Sequence, residues 1–369
     1  MSLINTSQLK LNDSLRAPLY KILMLVDEYY QYHLHKRSQE ALEYYRDRGY
    51  SDDIIKKFSL GYAPKGYSQL VSQAKNIRWR DQIEKTIGYK MNDDELTDTI
   101  HVLLELAGVT KSNENGSFDR FKDRVIFPIK DQTGKTVSFG GRKFRPDSNG
   151  PKYLNGSDSP LFRKNKVIFG LNHLTIGTKY DEILVTEGYM DVASLHQFEF
   201  TNAVASMGTA FSEEQIQILF NYSDTLHFCF DGDQAGREAA SRAAKNSRSS
   251  LRAGRAVYIS FLEEGEDPDS ILHSGHDIES GREAFISSLE GKTSIENFLL
   301  QHALKELQIQ WGENDRLVMA HLLNDVLHMP DDSDVANRIK QFVGIQSHEK
   351  AIEYDNYKIS DLVHSFPPP

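Results

Sequence analysis

Six acidic residues fall in three short clusters: Glu187 and Asp191 in Glu187-Gly188-Tyr189-Met190-Asp191, then Asp231-Gly232-Asp233, then Asp267-Pro268-Asp269. Carboxylates at close quarters repel one another and hold protons more tightly unless a cation lies among them. Hard divalent ions that prefer oxygen ligands, Mg²⁺ or Mn²⁺, suit such a donor set. Two such ions about 3.5–4 Å apart activate an attacking hydroxyl and stabilise a leaving oxygen in phosphoryl transfer. The clusters therefore read as a metal site with Glu187, Asp191, Asp231, Asp233, Asp267 and Asp269 as ligands and Glu187, Asp231 and Asp233 as the catalytic set. Glu187 is the carboxylate chosen to take the proton if one stays off the metal. Gly232 would let its two flanking aspartates face one side and leave room for a ligand, and Pro268 would fix the backbone between Asp267 and Asp269. Singly, each triplet is also the composition of an ordinary turn.

What joins the clusters is the pattern around them. Apolar runs at 182–186, 203–206, 225–230 and 256–261 read as strands, with helical patterns at 190–196, 212–220 and 235–252 between them. Such alternation means βαβ units and a parallel sheet. The carboxyl ends of its strands share one edge, where ligands bind, so residues far apart in sequence converge there.

Upstream, 17–73 has a helical pattern, with Leu19, Ile22, Leu23, Val26, Tyr29 and Tyr30 on one face. A second helix at 39–48 stops at Gly49, and Ser51 caps a short third helix ending near Phe58. Residues 74–115 read as helix with a variable loop around 92–98. Two strands follow, 124–129 and 136–139, and then Gly140-Gly141-Arg142, whose glycines allow close backbone approach, as to a nucleotide. After about 294 the pattern is helical, and residues 366–369 read as a tail.

The chain has 369 residues, 39% hydrophobic and 26% charged, as an ordinary soluble protein of two or three domains has. No apolar run is long enough for a membrane span and no secretory signal is visible at the N-terminus, so a cytoplasmic protein without membrane contact is expected. One cysteine, Cys229, excludes disulfides and cysteine-based zinc sites, and its apolar strand makes it a core thiol. The net charge of −10 hides an asymmetry: between Gly116 and Lys166 twelve Lys and Arg face five Asp, giving +7 there and −17 elsewhere. A basic block preceding a carboxylate cluster suits a polyanion whose reacting phosphate sits on metal. The paired His33 and His35 point in different directions on a helix and make no metal site; Tyr29, Tyr30 and Tyr32 read as packing rather than base stacking.

The order Glu, Asp-x-Asp, acidic pair on a small βαβ domain resembles the TOPRIM domain of topoisomerases, primases and some nucleases. The segments Val185-Thr186-Glu187-Gly188-Tyr189-Met190-Asp191, Phe230-Asp231-Gly232-Asp233-Gln234-Ala235-Gly236 and Gly265-Glu266-Asp267-Pro268-Asp269 resemble the bacterial replicative primases, the DnaG family. So do Phe118-Asp119-Arg120-Phe121, Phe139-Gly140-Gly141-Arg142 and Pro151-Lys152-Tyr153-Leu154-Asn155, from that family's RNA polymerase domain. The likeness runs from about Leu25 to about Gly344. It implies an α/β fold: a TOPRIM βαβ domain with a mainly parallel sheet at 167–290, a mixed α+β subdomain with a basic face at 17–166, a helical subdomain and tail at 291–369, and a tail at 1–16.

The implied activity is RNA primer synthesis from NTPs on a single-stranded DNA template, with two Mg²⁺ or Mn²⁺ ions and an RNA primer as product. Basic positions Arg142, Lys152 and Lys164, with Arg124 and Asn155 as further members, are implied to handle template and nucleotides. The family's zinc-binding domain cannot be built with one cysteine, so no zinc is expected. Its helicase-binding domain has no room after the likeness, so a replicative helicase would be a partner only through that domain. A TOPRIM nuclease and a non-catalytic nucleic-acid-binding module are the alternatives; the complete set of acids speaks against the module and the basic block against the nuclease.

Overall fold

The computed structural model describes residues 13–145, 150–208, 210–307 and 315–343. Residues 1–12 of the expected tail at 1–16, the expected tail at 366–369 and Thr209 lie outside the described residues. The chain forms two units, 1–172 and 173–369.

In the first unit, helix α1 (Asp13–Arg37) is followed by α2 (Gln39–Asp47), α3 (Asp52–Lys57) and strand β1 (Gly61–Ala63). The helix starts ahead of the expected residue 17 and runs through Pro18 in its second turn, where proline removes a single backbone bond. Gly49, at φ 83°, follows α2, and the Ser51 side chain caps α3, as expected. Next come α4 (Ile77–Ile87), α5 (Asp93–Leu106), the hairpin β2 (Thr110–Asn113) and β3 (Gly116–Asp119), and then β4 (Arg124–Lys130), β5 (Thr136–Lys143) and β6 (Tyr153–Asn155). The antiparallel sheet has the order β1-β4-β5-β6. The apolar face of α1 (Leu19, Ile22, Leu23, Val26, Tyr30) packs with Ile100 and Leu104 of α5 and with Ile126 and Phe139 of the sheet. Tyr29 and Tyr30 are core residues, as expected, whereas Tyr32 is exposed.

Four expectations fail here: strand β1 interrupts the helical pattern read over 17–73, β2 lies within the 74–115 read as helix, and two further differences concern α5 and β5. The loop expected at 92–98 is the start of α5: Asn92 and Glu95 form a reciprocal capping box, Glu95 N–H to Asn92 Oδ1 at 2.9 Å and Asn92 N–H to Glu95 Oε2 at 3.2 Å. Its acidic first turn looks like polar loop composition, yet carboxylates stabilise a helix N-terminus. The second strand does not stop at 139 but continues to Lys143, so Gly140, Gly141 and Arg142 lie within β5.

Asp27 is buried between α1 and β5, accepting from Thr136 Oγ1 at 2.6 Å and Gln31 Nε2 at 2.8 Å. Burial pushes its carboxyl above the ordinary value of 3.8, although both hydrogen bonds oppose the rise. A carboxyl raised on folding binds more protons in the folded state, so its contribution is complete below about pH 3.8 and is lost as pH rises through the folded value. Asp27→Asn should therefore gain stability relative to the parent chain as pH climbs from 4, then level off. Parallel denaturant titrations at several pH values measure this; a difference independent of pH would contradict it.

The second unit contains β7 (Ile183–Thr186), α6 (Tyr189–Gln197), β8 (Ala203–Ala205), α7 (Glu213–Leu219), β9 (Thr225–Phe230), α8 (Gln234–Ser247) and β10 (Ala256–Phe261). After them come α9 (Pro268–Leu272), α10 (Ile278–Ser288), β11 (Thr293–Ser294), α11 (Ile295–Leu307), α12 (Asp315–Val326) and α13 (Asp334–Phe342). The sheet order is β11-β10-β9-β7-β8, all pairs parallel except β10 with β11. Strands β9 and β10 have the bounds their apolar runs predict; α8 ends at Ser247, short of the expected 252, and a single 3₁₀ turn follows. Cys229 is buried in β9, and burial together with the nearby carboxylates pushes its thiol far above the ordinary range. No described helix is long and apolar enough to cross a membrane.

Candidate metal centre and cationic face

Thr186, Ala205, Phe230 and Phe261 end four parallel strands on one edge of the sheet. Glu187 and Asp231 are therefore the first residues beyond neighbouring strands, and Asp231 N–H donates to Glu187 Oε1 at 3.3 Å. Helix α6 begins at once after β7, which puts Asp191 in its first turn; its Oδ2 accepts from Gly188 N–H at 3.0 Å. Asp233 caps α8 by accepting from Gly236 N–H at 2.8 Å, and Asp267 caps α9 by accepting from Ser270 N–H at 2.7 Å. Asp269 follows Pro268 in α9 and accepts a short hydrogen bond from Ser194 Oγ of α6. Pro268 is thus the ordinary first residue of a helix, where its missing N–H costs nothing.

Several of these carboxylates act on one another electrostatically. Asp191 is pushed far above the usual carboxylate range, first by burial and then by the charges of Asp267, Asp231 and Asp269. Glu187 is also raised, mainly by burial, with Asp233 adding repulsion and Arg242 opposing it. Among the described residues, no three such side chains stand ready as a chelate. Glu187, Asp191, Asp233 and Asp267 each spend an oxygen on a backbone N–H, which fixes the carboxylate and leaves its second oxygen to act. A donor set made entirely of carboxylate oxygen fits a hard divalent cation, which would remove the repulsion at Asp191.

Gly232 has a different reason from the one its spacing suggests. A Cβ there would stand 2.3 Å from the Leu262 carbonyl oxygen and 2.9 Å from the backbone of Glu263 and Glu264. The space beside it belongs to the chain leaving β10, and no ligand room is left by the glycine. Gly141 is similar: a Cβ would meet Phe121 Cδ1 at 2.8 Å and Arg124 Cδ at 3.1 Å, so this glycine admits protein side chains and not a nucleotide.

In the first unit, Arg142 is 8% exposed and lies between two rings, its guanidinium carbon 5.6 Å from the Tyr44 centroid and 5.7 Å from that of Tyr153. Its Nε donates to Tyr153 Oη at 3.2 Å. Arg48 lies over Tyr44 at 5.7 Å and Lys152 over Tyr153 at 5.5 Å, so cations and aromatic rings alternate across α2, β5 and β6. Tyr153 is 45% exposed. Arg124 is buried, and its guanidinium donates to the carbonyls of Pro151 at 2.8 Å and Lys152 at 3.3 Å, which places Lys152. Asn155 pairs with Gly140 in the sheet and accepts from Arg120 through its own carbonyl at 2.8 Å. Lys164 lies beyond the sheet, partly exposed, its N–H donating to Asp158. Not all of the basic block is available: Arg145 is tied to Glu40 and to Asp123, the latter at 2.6 Å. Tyr44 and Arg48 escaped sequence reading; the alternation of cations and rings exists only once α2 meets β5.

Residues 29–175 match the family described as DNA primase catalytic core, N-terminal domain, and residues 184–272 match the Toprim-like family. The DNA primase of Pseudomonas putida is 39% identical over 279 residues, 74% of this chain and 38% of that protein. Among eight curated relatives it matches, the chain spans between 38% and 54% of their length. The crystal structure of a DNA primase domain from Pseudomonas aeruginosa is 32% identical, with a TM-score of 0.73 over 94% of this chain and 100% of that one. A DnaG primase catalytic domain bound to ssDNA is 29% identical, with a TM-score of 0.74 over 90% and 99%.

Proposed function

This chain belongs to the DnaG family of DNA primases, in the part that forms the catalytic core, and from that premise we propose that it synthesises RNA primers from NTPs on single-stranded DNA. The observation that carries the reading is the carboxylate set on one strand-end edge of a parallel sheet, within a core that matches a primase domain bound to ssDNA. Glu187, Asp191, Asp231, Asp233, Asp267 and Asp269 would hold the two Mg²⁺ or Mn²⁺ ions, which would supply Lewis-acid stabilisation of the charge that develops in phosphoryl transfer. Glu187, where it stays off the metal, or otherwise a water takes the hydroxyl proton, and the 3′-oxygen displaces pyrophosphate at the α-phosphorus. The backbone bonds to the carboxylates fix their orientation before any ligand arrives, so little reorganisation is needed. NTP incorporation on single-stranded DNA with Mg²⁺ or Mn²⁺ tests this. The expected result is RNA extension with one pyrophosphate per nucleotide; strand cleavage without incorporation would favour a nuclease instead.

The alternating cations and rings around Tyr153 serve as the template face, rings stacking on bases and cations meeting phosphates. Log affinity for single-stranded DNA should fall against log salt by about 0.7 per phosphate neutralised. Lys152→Ala should lower that slope by one such step. Arg142→Ala should cost more affinity than charge alone explains, because it also releases Tyr44 and Tyr153. Arg142→Lys should not restore it, since an ammonium lacks the planar guanidinium that faces both rings and bonds Tyr153 Oη. Fluorescence anisotropy at several salt concentrations measures all three; slopes unchanged by Lys152→Ala would remove this face from the binding surface.

A further inference from the structure

Four of the acidic side chains on the strand-end edge are oriented by backbone N–H groups, which changing a side chain leaves in place unless proline is introduced. Asp269 is held differently. Its Oδ1 accepts from the hydroxyl of Ser194, a residue of another helix that is fully buried. Ser194 lies three residues after Asp191 in α6, so the two share one face of that helix, one turn apart. Asp269 is 8% exposed and Asp191 9% exposed, which puts two carboxylates in a confined space where like charges push apart. The Ser194 hydroxyl offers a neutral donor at that junction. His273 Nδ1, one turn on in the chain, bonds the backbone carbonyl oxygen of Asp269 at 2.8 Å and lies 3.4 Å from the same Oδ1. The hydrogen bond to Oδ1 resists rotation of the carboxylate about its last side-chain bond and so biases where Oδ2 points.

We propose that Ser194 is a positioning residue for the metal centre, holding the Asp269 carboxylate in the orientation in which it ligates a divalent ion. This rests on the reading of the acidic cluster as a metal site. Groups that orient metal ligands in this way change metal affinity by about 10- to 100-fold when removed. A hydroxyl that merely fastened α6 to α9 would change stability and leave affinity alone.

The test is Mn²⁺ binding to the full chain, followed by electron paramagnetic resonance of free Mn²⁺, for wild type, Ser194→Ala, Asp269→Asn and the double variant. Thermal midpoints without metal are recorded for all four. Ser194→Ala is expected to weaken Mn²⁺ by about 10-fold. In the Asp269→Asn background the same change should add less than about 2-fold, because its effect passes through the carboxylate already altered. The Mg²⁺ concentration for half-maximal synthesis should rise in step with the Mn²⁺ dissociation constant. If Ser194→Ala binds Mn²⁺ like wild type, whether or not it melts lower, the positioning role is overturned. Equal losses in both backgrounds would overturn it too, by showing that Ser194 does not act through Asp269. Should Asp269→Asn bind Mn²⁺ as tightly as wild type, the ligand assignment itself falls, a failure separate from that of Ser194 alone.

Discussion

Asp233→Asn is expected to lower metal-dependent RNA synthesis by about 10³-fold or more while leaving the fold intact. Metal ions supply several kcal/mol of charge stabilisation in phosphoryl transfer, and each 1.36 kcal/mol is about tenfold in rate. The substitution is unusually clean at this position. Asp233 caps α8 through Gly236 N–H, and Asn caps a helix about as well as Asp, so the helix keeps its start. What is lost is one charge from a site where Glu187 feels repulsion from Asp233. The metal-free thermal midpoint should therefore stay level or rise, and the stabilisation that Mg²⁺ gives the parent chain should shrink. Asp231→Asn should behave alike in synthesis. Primer extension with excess Mg²⁺ and a melting curve with chelator together measure this. Wild-type synthesis by both single variants would mean that the ligands are elsewhere.

How much of this was legible in the sequence depends on what kind of signal each residue carries. Strands β9 and β10 are apolar runs cut off by charge or turn residues, β9 buried on both faces and β10 partly open at Ala256, Tyr258 and Phe261, and their bounds follow from the apolar run itself. A parallel sheet then forces Glu187 and Asp231 to neighbouring strand ends, so the acidic edge is a matter of topology. Glycine is less informative. Gly232 and Gly141 announce that something approaches closely, but composition cannot say whether it is a ligand or the protein's own backbone and side chains. The acid-rich start of α5 reads as a loop unless Asn92 and Glu95 are recognised as a capping pair. Ser194 and Tyr44 carry no pattern at all: a serine inside a helix and a tyrosine on a helix face acquire roles only from Asp269 and Arg142, which lie far along the chain.

Gly232→Ala should cost about 10²-fold in synthesis and about 1–3 kcal/mol of stability in the sheet-bearing unit, although it removes no charge and no donor. The added Cβ would stand 2.3 Å from the Leu262 carbonyl oxygen and 2.9 Å from both Glu263 C and Glu264 N. All three are backbone atoms, so none can swing aside as a side-chain tip would. Either the turn after β9 moves or the chain leaving β10 does. The first displaces Asp231 and Asp233, which flank the substitution; the second displaces the segment leading to Asp267 and Asp269. Both routes spread the acidic set, and a displacement near 1 Å at a reacting centre costs about 10²-fold in rate. Divalent affinity should fall together with rate, which separates this variant from one that simply unfolds. Gly291→Ala is the control, since a Cβ there meets nothing within 4 Å. Melting curves, Mn²⁺ titration and primer extension on the two variants decide the matter. A Gly232→Ala chain that keeps parental metal affinity and rate would show that the strand-end edge tolerates a shift its tight backbone packing forbids.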